Sequence, residues 1–118
     1  MNKEFYQGNR EKLYAQMKEN ALLVLFSGTE VRKTNDEFYP FYTNRNFLYL
    51  TGLDQKELAL IARKDGAGRV TEKVYILPPD WLVERSGIAD VGYTDSFEAE
   101  LHRLATSGNY QYLYLDLF

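Results

Sequence analysis

Ala21-Leu22-Leu23-Val24-Leu25-Phe26 is an unbroken apolar run, closed by Ser27-Gly28. It is too short for a stable helix and shows no alternation of apolar and polar residues. A strand buried on both faces has this pattern, and such strands belong to α/β sheets. Residues 3–19 before it read as a helix. Tyr6, Leu13 and Met17 form one stripe, with Arg10, Glu11, Lys12, Lys18 and Glu19 placed largely off it. Gly8 weakens the first turn, and Asn20 is a stop signal.

Downstream, three short apolar stretches predict a meander. Phe47-Leu48-Tyr49-Leu50 ends at Thr51-Gly52, and Leu58-Ala59-Leu60-Ile61-Ala62 leads to the turn Asp65-Gly66-Ala67-Gly68. Lys73-Val74-Tyr75-Ile76-Leu77 is stopped by Pro78-Pro79. Asp95 is placed to cap a helix over 96–106, in which Phe97, Leu101, Leu104 and Ala105 make the apolar stripe. Gly108 ends that helix, and Tyr112-Leu113-Tyr114-Leu115 is a last strand. Helix, strand, meander, helix and strand in this order predict a mixed sheet with helices packed on it.

The chain has 118 residues, enough for one domain. Acidic residues outnumber basic ones, 17 to 14, so no basic surplus is available for phosphates, and nucleic acid is excluded as the main partner. There is no cysteine, which removes disulfides, thiolate metal sites and thiol chemistry. The longest apolar run is far short of a bilayer span, and the N-terminus has no apolar leader, so no membrane partner is expected and a cytoplasmic location is the default. The apolar ending Asp116-Leu117-Phe118 is the kind left when a longer parent chain is cut.

Few residues can carry chemistry. Asp54 and Asp65 have a spacing at which two aspartates can bridge a binuclear metal centre. Each also sits at a Gly turn, where Asp serves the backbone, and the turn reading outweighs the metal one. His102, the single histidine, falls inside the second helix with no partner motif, as a partly exposed helix residue. Neither Ser27-Gly28 nor Ser86-Gly87 lies in a nucleophile elbow.

The segment from Asp36 to Gly52 is different. Phe38, Tyr39, Phe41, Tyr42, Phe47 and Tyr49 stand among Asp36, Glu37, Asn44, Arg45 and Asn46. Such a segment either pins itself to the core by its rings or forms a rim that meets a ligand or another chain. Here Asn35-Asp36-Glu37-Phe38-Tyr39-Pro40-Phe41 and Asn44-Arg45-Asn46-Phe47-Leu48-Tyr49-Leu50-Thr51-Gly52 resemble the signature of the N-terminal domain of Xaa-Pro aminopeptidases, a domain type shared with prolidase and creatinase. Gly8-Asn9-Arg10-Glu11-Lys12-Leu13 is similar to that family's opening helix, and Leu23-Val24-Leu25-Phe26-Ser27-Gly28 to its first strand.

The resemblance implies a three-layer α/β/α domain with a mixed sheet of about six strands. It implies a non-catalytic domain, covering residues 1–118, that precedes a pita-bread catalytic domain. That second domain holds two divalent metals, usually manganese, and releases an N-terminal residue before proline. The implied partners are the domain's own catalytic domain, neighbouring subunits of a homo-oligomer and, in the parent, proline-containing peptides. Asp36, Tyr39, Arg45 and Trp81 are the implied residues of substrate access or inter-subunit contact. The stretch from Pro78 to Gly87 is shorter than the family's Trp-x-Gly segment, and two readings of Trp81 stand: the equivalent of that tryptophan, or a residue at a deletion scar. Two rival readings are a stand-alone peptide-binding module and the equivalent domain of a prolidase-like or creatinase-like enzyme. No residue set here builds an activating metal site, so the 118-residue chain is expected to show no proline-specific peptidase activity. Chelator-sensitive release of an N-terminal residue from an Xaa-Pro peptide by the purified chain contradicts this.

Overall fold

A computed structural model describes residues 3–28, 45–53, 57–76 and 86–116. Helix α1 (Lys3–Gln16) leads into strand β1 (Ala21–Phe26). Helix α2 (Arg45–Thr51), strand β2 (Ala59–Lys64) and strand β3 (Val70–Ile76) follow. Strand β4 (Val91–Tyr93), a 3-10 turn at Thr94–Ser96, helix α3 (Phe97–Ala105) and strand β5 (Tyr112–Asp116) complete the order. The strands form one mixed sheet in the order β4-β3-β2-β1-β5. β1 pairs antiparallel with β2 and parallel with β5, β2 pairs antiparallel with β3, and β3 parallel with β4. The described residues thus give five strands of the expected mixed sheet.

The two-faced burial of β1 follows from its central place. Ala21, Leu23 and Leu25 join Tyr14, Met17, Phe47 and Leu50 in a core under α1 and α2. Leu22 and Val24 join Ala59, Ile61, Tyr75 and Leu104 in a second core under α3. Two apolar layers on opposite faces of one sheet make the α/β/α architecture. Each large apolar side chain fully covered contributes roughly 1.5–3 kcal/mol, so both faces of β1 matter to stability. Phe97 sits edge-on to Phe26 and Tyr75, with ring centroids 5.5 and 5.3 Å apart, and so ties the start of α3 to the sheet.

The expected first strand of the meander is instead helix α2. Its apolar run is too short to separate the two periods. Phe47, Leu50 and Thr51 are buried and Leu48 and Tyr49 exposed, an i, i+3, i+4 pattern that a strand cannot make. Thr51-Gly52 is a stop, but a helical one. Thr51 Oγ1 donates to the Phe47 carbonyl at 2.8 Å and accepts from the Leu53 amide at 3.1 Å. Gly52, at φ +71°, donates its amide to the Leu48 carbonyl at 2.8 Å.

Other boundaries shift for local reasons. α1 ends at Gln16 rather than 19, because Lys64 Nζ donates to the Tyr14 and Met17 carbonyls at 2.8 and 2.9 Å and Asn20 turns left-handed at φ +59°. Asp95 does not cap α3. It lies in the 3-10 turn, and the capping position falls to Ser96, whose Oγ donates back to the Tyr93 carbonyl at 2.9 Å. Ala105 is exposed, so the buried stripe of α3 stops at Leu104. β4 has no counterpart in the sequence reading. No helix among the described residues is long and apolar enough to cross a membrane.

At Gly52 an added Cβ would stand 2.5 Å from the ring of Tyr6, on backbone already left-handed. Gly52→Ala is therefore expected to lower the unfolding free energy by about 2 kcal/mol or more, from clash and φ strain together. Denaturant titration at constant m-value checks this. Gly68, also left-handed but with open space around it, is the comparison site, and Gly68→Ala should cost less.

Candidate functional site

The most constrained polar group of the described structure is Arg10, only 1% exposed. A buried guanidinium is costly unless its N–H groups are matched. Its Nε and Nη2 donate to the two Glu72 carboxylate oxygens at 2.9 and 3.1 Å. Its Nη1 donates to the Leu50 carbonyl at 2.9 Å and the Ser86 carbonyl at 2.7 Å. Tyr14 donates its phenol proton to Glu72 Oε2 at 2.6 Å. Burial, aided by the Glu72 carboxylate, pushes the Tyr14 phenol far above its ordinary value of 10.

This hub joins α1 to the end of α2, to β3 and to Ser86. Neighbouring α1 residues extend the clamp. Asn9 donates to the Tyr49 carbonyl at 2.9 Å, and Gln7 to the Gly87 carbonyl at 3.2 Å. Gly87, at φ +77°, lies so close that an added Cβ would stand 2.7 Å from the Gln7 amide nitrogen. α1 therefore grips the C-terminal end of α2 and the place where the chain leaves residues 77–85. The sequence reading placed Arg10 largely off the apolar stripe, and the structure corrects this. The spacing Tyr6, Arg10, Leu13, Met17 carried the signal, since it puts Arg10 on the stripe itself.

Of the expected site residues, Asp36, Tyr39 and Trp81 lie outside the described residues. Arg45 opens α2, at the end opposite the carbonyl held by Arg10. Asp54 also lies outside the described residues, whereas Asp65 is a turn residue. Its Oδ1 accepts the Arg69 and Ala67 amides, each at 2.9 Å, and these bonds, that from Arg69 foremost, hold its carboxyl below the ordinary range. His102 is exposed on α3. Ser27 and Ser86 are buried, and their hydroxyls accept the Leu58 and Ile88 amides at 2.9 and 3.1 Å. Among the described residues no three His, Cys, Asp or Glu side chains converge as a metal cage.

An open groove of about 510 Å³ runs beside α1, lined in part by Asn9, Leu13, Leu23, Leu25, Tyr49 and Leu50. Among the described residues on its walls Lys12 is the one charged side chain, so these residues offer no acid–base pair. Tyr75, under α3, is pushed up to about 12, first by burial and then by the Glu100 and Asp90 carboxylates. It is a ring of the α3-side core, and the shift keeps its phenol protonated at neutral pH.

Residues 6–80 match the family described as the N-terminal domain of aminopeptidase P. The chain belongs to that family. It is 38% identical over 84 residues to a Xaa-Pro aminopeptidase of Haemophilus influenzae, covering 70% of this chain and 19% of that protein. A Xaa-Pro aminopeptidase of Escherichia coli is 30% identical over 64 residues, covering 54% of this chain and 14% of that protein. The solved structure of a Bacillus anthracis protein assigned to aminopeptidase P superposes with a TM-score of 0.88 at 32% identity, over all of this chain and 31% of that one. The E. coli aminopeptidase P solved with the inhibitor Pro-Leu shares the fold, with a TM-score of 0.82 at 19% identity, over 98% of this chain and 29% of that one. The chain thus spans about a third or less of these relatives.

The buried pair generates two expectations. Arg10→Met removes one partner of a buried charge pair and strands two carbonyls, so it should cost about 3 kcal/mol or more in denaturant unfolding. Tyr14→Phe should cost about 1–2 kcal/mol at neutral pH. The folded Tyr14 phenol titrates above its ordinary value of 10, so the fold favours its protonated form. That contribution is complete below the ordinary value and is lost as pH rises beyond it. The stability gap between the parent chain and Tyr14→Phe should therefore narrow above pH 10, which unfolding midpoints across the alkaline range will show.

Proposed function

We propose that this domain serves as the non-catalytic N-terminal domain of a Xaa-Pro aminopeptidase, where it assembles subunits and narrows access to the catalytic cleft. The family match over residues 6–80 carries this reading. The Arg10 hub supports it physically, because it fixes α2, the element that follows Asp36 and Tyr39 in the chain, and Ser86, which follows Trp81. In this reading Asp36, Tyr39, Arg45 and Trp81 present polar and aromatic groups toward a neighbouring catalytic domain. The two divalent metals implied by the family resemblance do not fit the described residues of this domain, where the Asp65 carboxylate is committed to its turn and no cage converges. They belong to the catalytic domain, which also carries the chemistry on peptides with proline in second position.

The test uses the full-length protein carrying this domain. Asp36→Ala should change kcat/KM for an Xaa-Pro peptide several-fold while leaving the melting temperature nearly unchanged. Loss of stability with the substitution makes Asp36 a structural cap. Unchanged activity together with unchanged stability makes the segment a packed connector and removes Asp36 from the site.

A further inference from the structure

Asp65-Gly66 is the one place in the sequence where an Asp or Asn precedes a Gly. The pairing has a chemistry of its own. An aspartyl carboxyl carbon lies within ring-closing reach of the amide nitrogen that follows it, and a glycine there has no side chain to hinder the approach. In this chain the pair sits in the turn between β2 and β3, where residues 65–70 are all exposed. Burial therefore does not protect it, and water has free access.

What restrains the carboxyl is hydrogen bonding. Asp65 Oδ1 accepts the Ala67 and Arg69 amides, each at 2.9 Å, and Oδ2 lies 3.8 Å from Arg69 Nε. The backbone closes the same turn, with the Asp65 amide donating to the Arg69 carbonyl at 2.9 Å and the Gly68 amide to the Asp65 carbonyl at 3.1 Å. Ring closure needs the side chain to rotate, which the two Oδ1 bonds oppose.

We propose that Asp65 is a site of spontaneous isoaspartate formation, a covalent modification that the hydrogen bonds of the β2–β3 turn hold back and that proceeds when the turn opens. The Gly66 nitrogen attacks Asp65 Cγ and gives up its proton. A C–N bond forms, one carboxyl oxygen leaves as water, and a five-membered imide remains. Water then adds to one of the two imide carbonyls and breaks its bond to nitrogen. Opening at Cγ restores Asp65. Opening at the main-chain carbonyl leaves the chain running through Cβ and Cγ, with a carboxylate on Cα. Water is the only co-reactant, and the net change is an isomerisation. The same bonds, that from Arg69 foremost, hold the carboxyl below its ordinary range, and the ionised form is a poor source of the departing water. The product lengthens the backbone path of the turn by one carbon and removes the Oδ1 acceptor. It therefore loosens the Lys64–Val70 end of the hairpin, on the strand that carries Glu72 to Arg10. The inference does not depend on the proposed function.

The folded 118-residue chain and a free peptide of residues 61–72 are incubated side by side at neutral pH. Isoaspartate is located by peptide mapping and counted by methyl transfer from S-adenosylmethionine with an isoaspartyl-specific carboxyl methyltransferase. Asp65 should convert in both, at least about 10-fold more slowly in the folded chain, with the slowing equal to the protection of the Ala67 and Arg69 amides in hydrogen exchange. Gly68→Ala strains the turn at φ +83° without touching the reacting atoms. It should speed conversion several-fold in the folded chain and leave the peptide unchanged. Asp65→Ser should abolish the signal at the turn. Equal rates in chain and peptide overturn the proposal, as does conversion of the folded chain mainly at another Asp or Asn. A Gly68→Ala effect of the same size in chain and peptide also overturns it. If that variant does not fold, a slowing that departs from the measured amide protection by more than about 10-fold has the same force.

Discussion

Arg10 sets the terms for the rest of the domain. Its guanidinium has five N–H donors in a rigid fork, and water is excluded around it. Each neighbour must therefore arrive at a fixed distance and angle. Glu72 on β3 accepts two of the bonds, and the carbonyls of Leu50 and Ser86 accept others. An apolar side chain of similar volume could fill the same space, and buried ion pairs often add little net stability over such a replacement. What it could not do is satisfy two carbonyls at the ends of separate segments. The hub's effect is thus positional: it fixes α2 and residue 86 relative to α1 and the sheet.

The glycines at 52 and 87 belong to the same constraint. Both have positive φ, and both let backbone press against α1 side chains, Gly52 on Tyr6 and Gly87 on Gln7. Each lies close in sequence to a carbonyl that Arg10 holds, at Leu50 and at Ser86. Close backbone approach and a directed hydrogen bond together leave these junctions little freedom.

How far the fold could be read from sequence depended on whether a segment's pattern was decided locally. β1 was legible because a six-residue apolar run with turn residues after it has few other fates. The β2–β3 hairpin was legible because Asp65 and Gly68 encode their turn by backbone chemistry that the structure shows bond by bond. α2 was not, because Phe47-Leu48-Tyr49-Leu50 fits a strand as well as a helix, and only packing of Phe47 and Leu50 under α1 chooses. β4 was invisible because three residues around Gly92 carry no periodicity, and pairing with Val74, Tyr75 and Ile76 alone makes them a strand. The family was legible from consecutive residues. The Arg10 site was not, since its partners lie far along the chain and charge was weighed above position on the stripe.

That misreading has a physical reason. A charged residue on an apolar stripe is either an error of periodicity or a buried group with a matched set of partners, and the helix alone cannot supply that set. In α1 the match comes from elsewhere in the chain: a carboxylate on β3, a carbonyl at the end of α2 and a carbonyl at residue 86. Until all three are in place, Arg10 is better off in water. Burial of Arg10 therefore couples α1 docking to the correct placement of α2 and of the chain at Ser86, and a partly assembled hub is disfavoured against either extreme. Apolar contacts alone tolerate small slips of one element over another. This polar cluster does not, because a shift large enough to lose one bond leaves a buried donor or carbonyl unmatched. The domain's three layers are held by its leucines and valines, but their mutual register on the α1 side is held by one arginine.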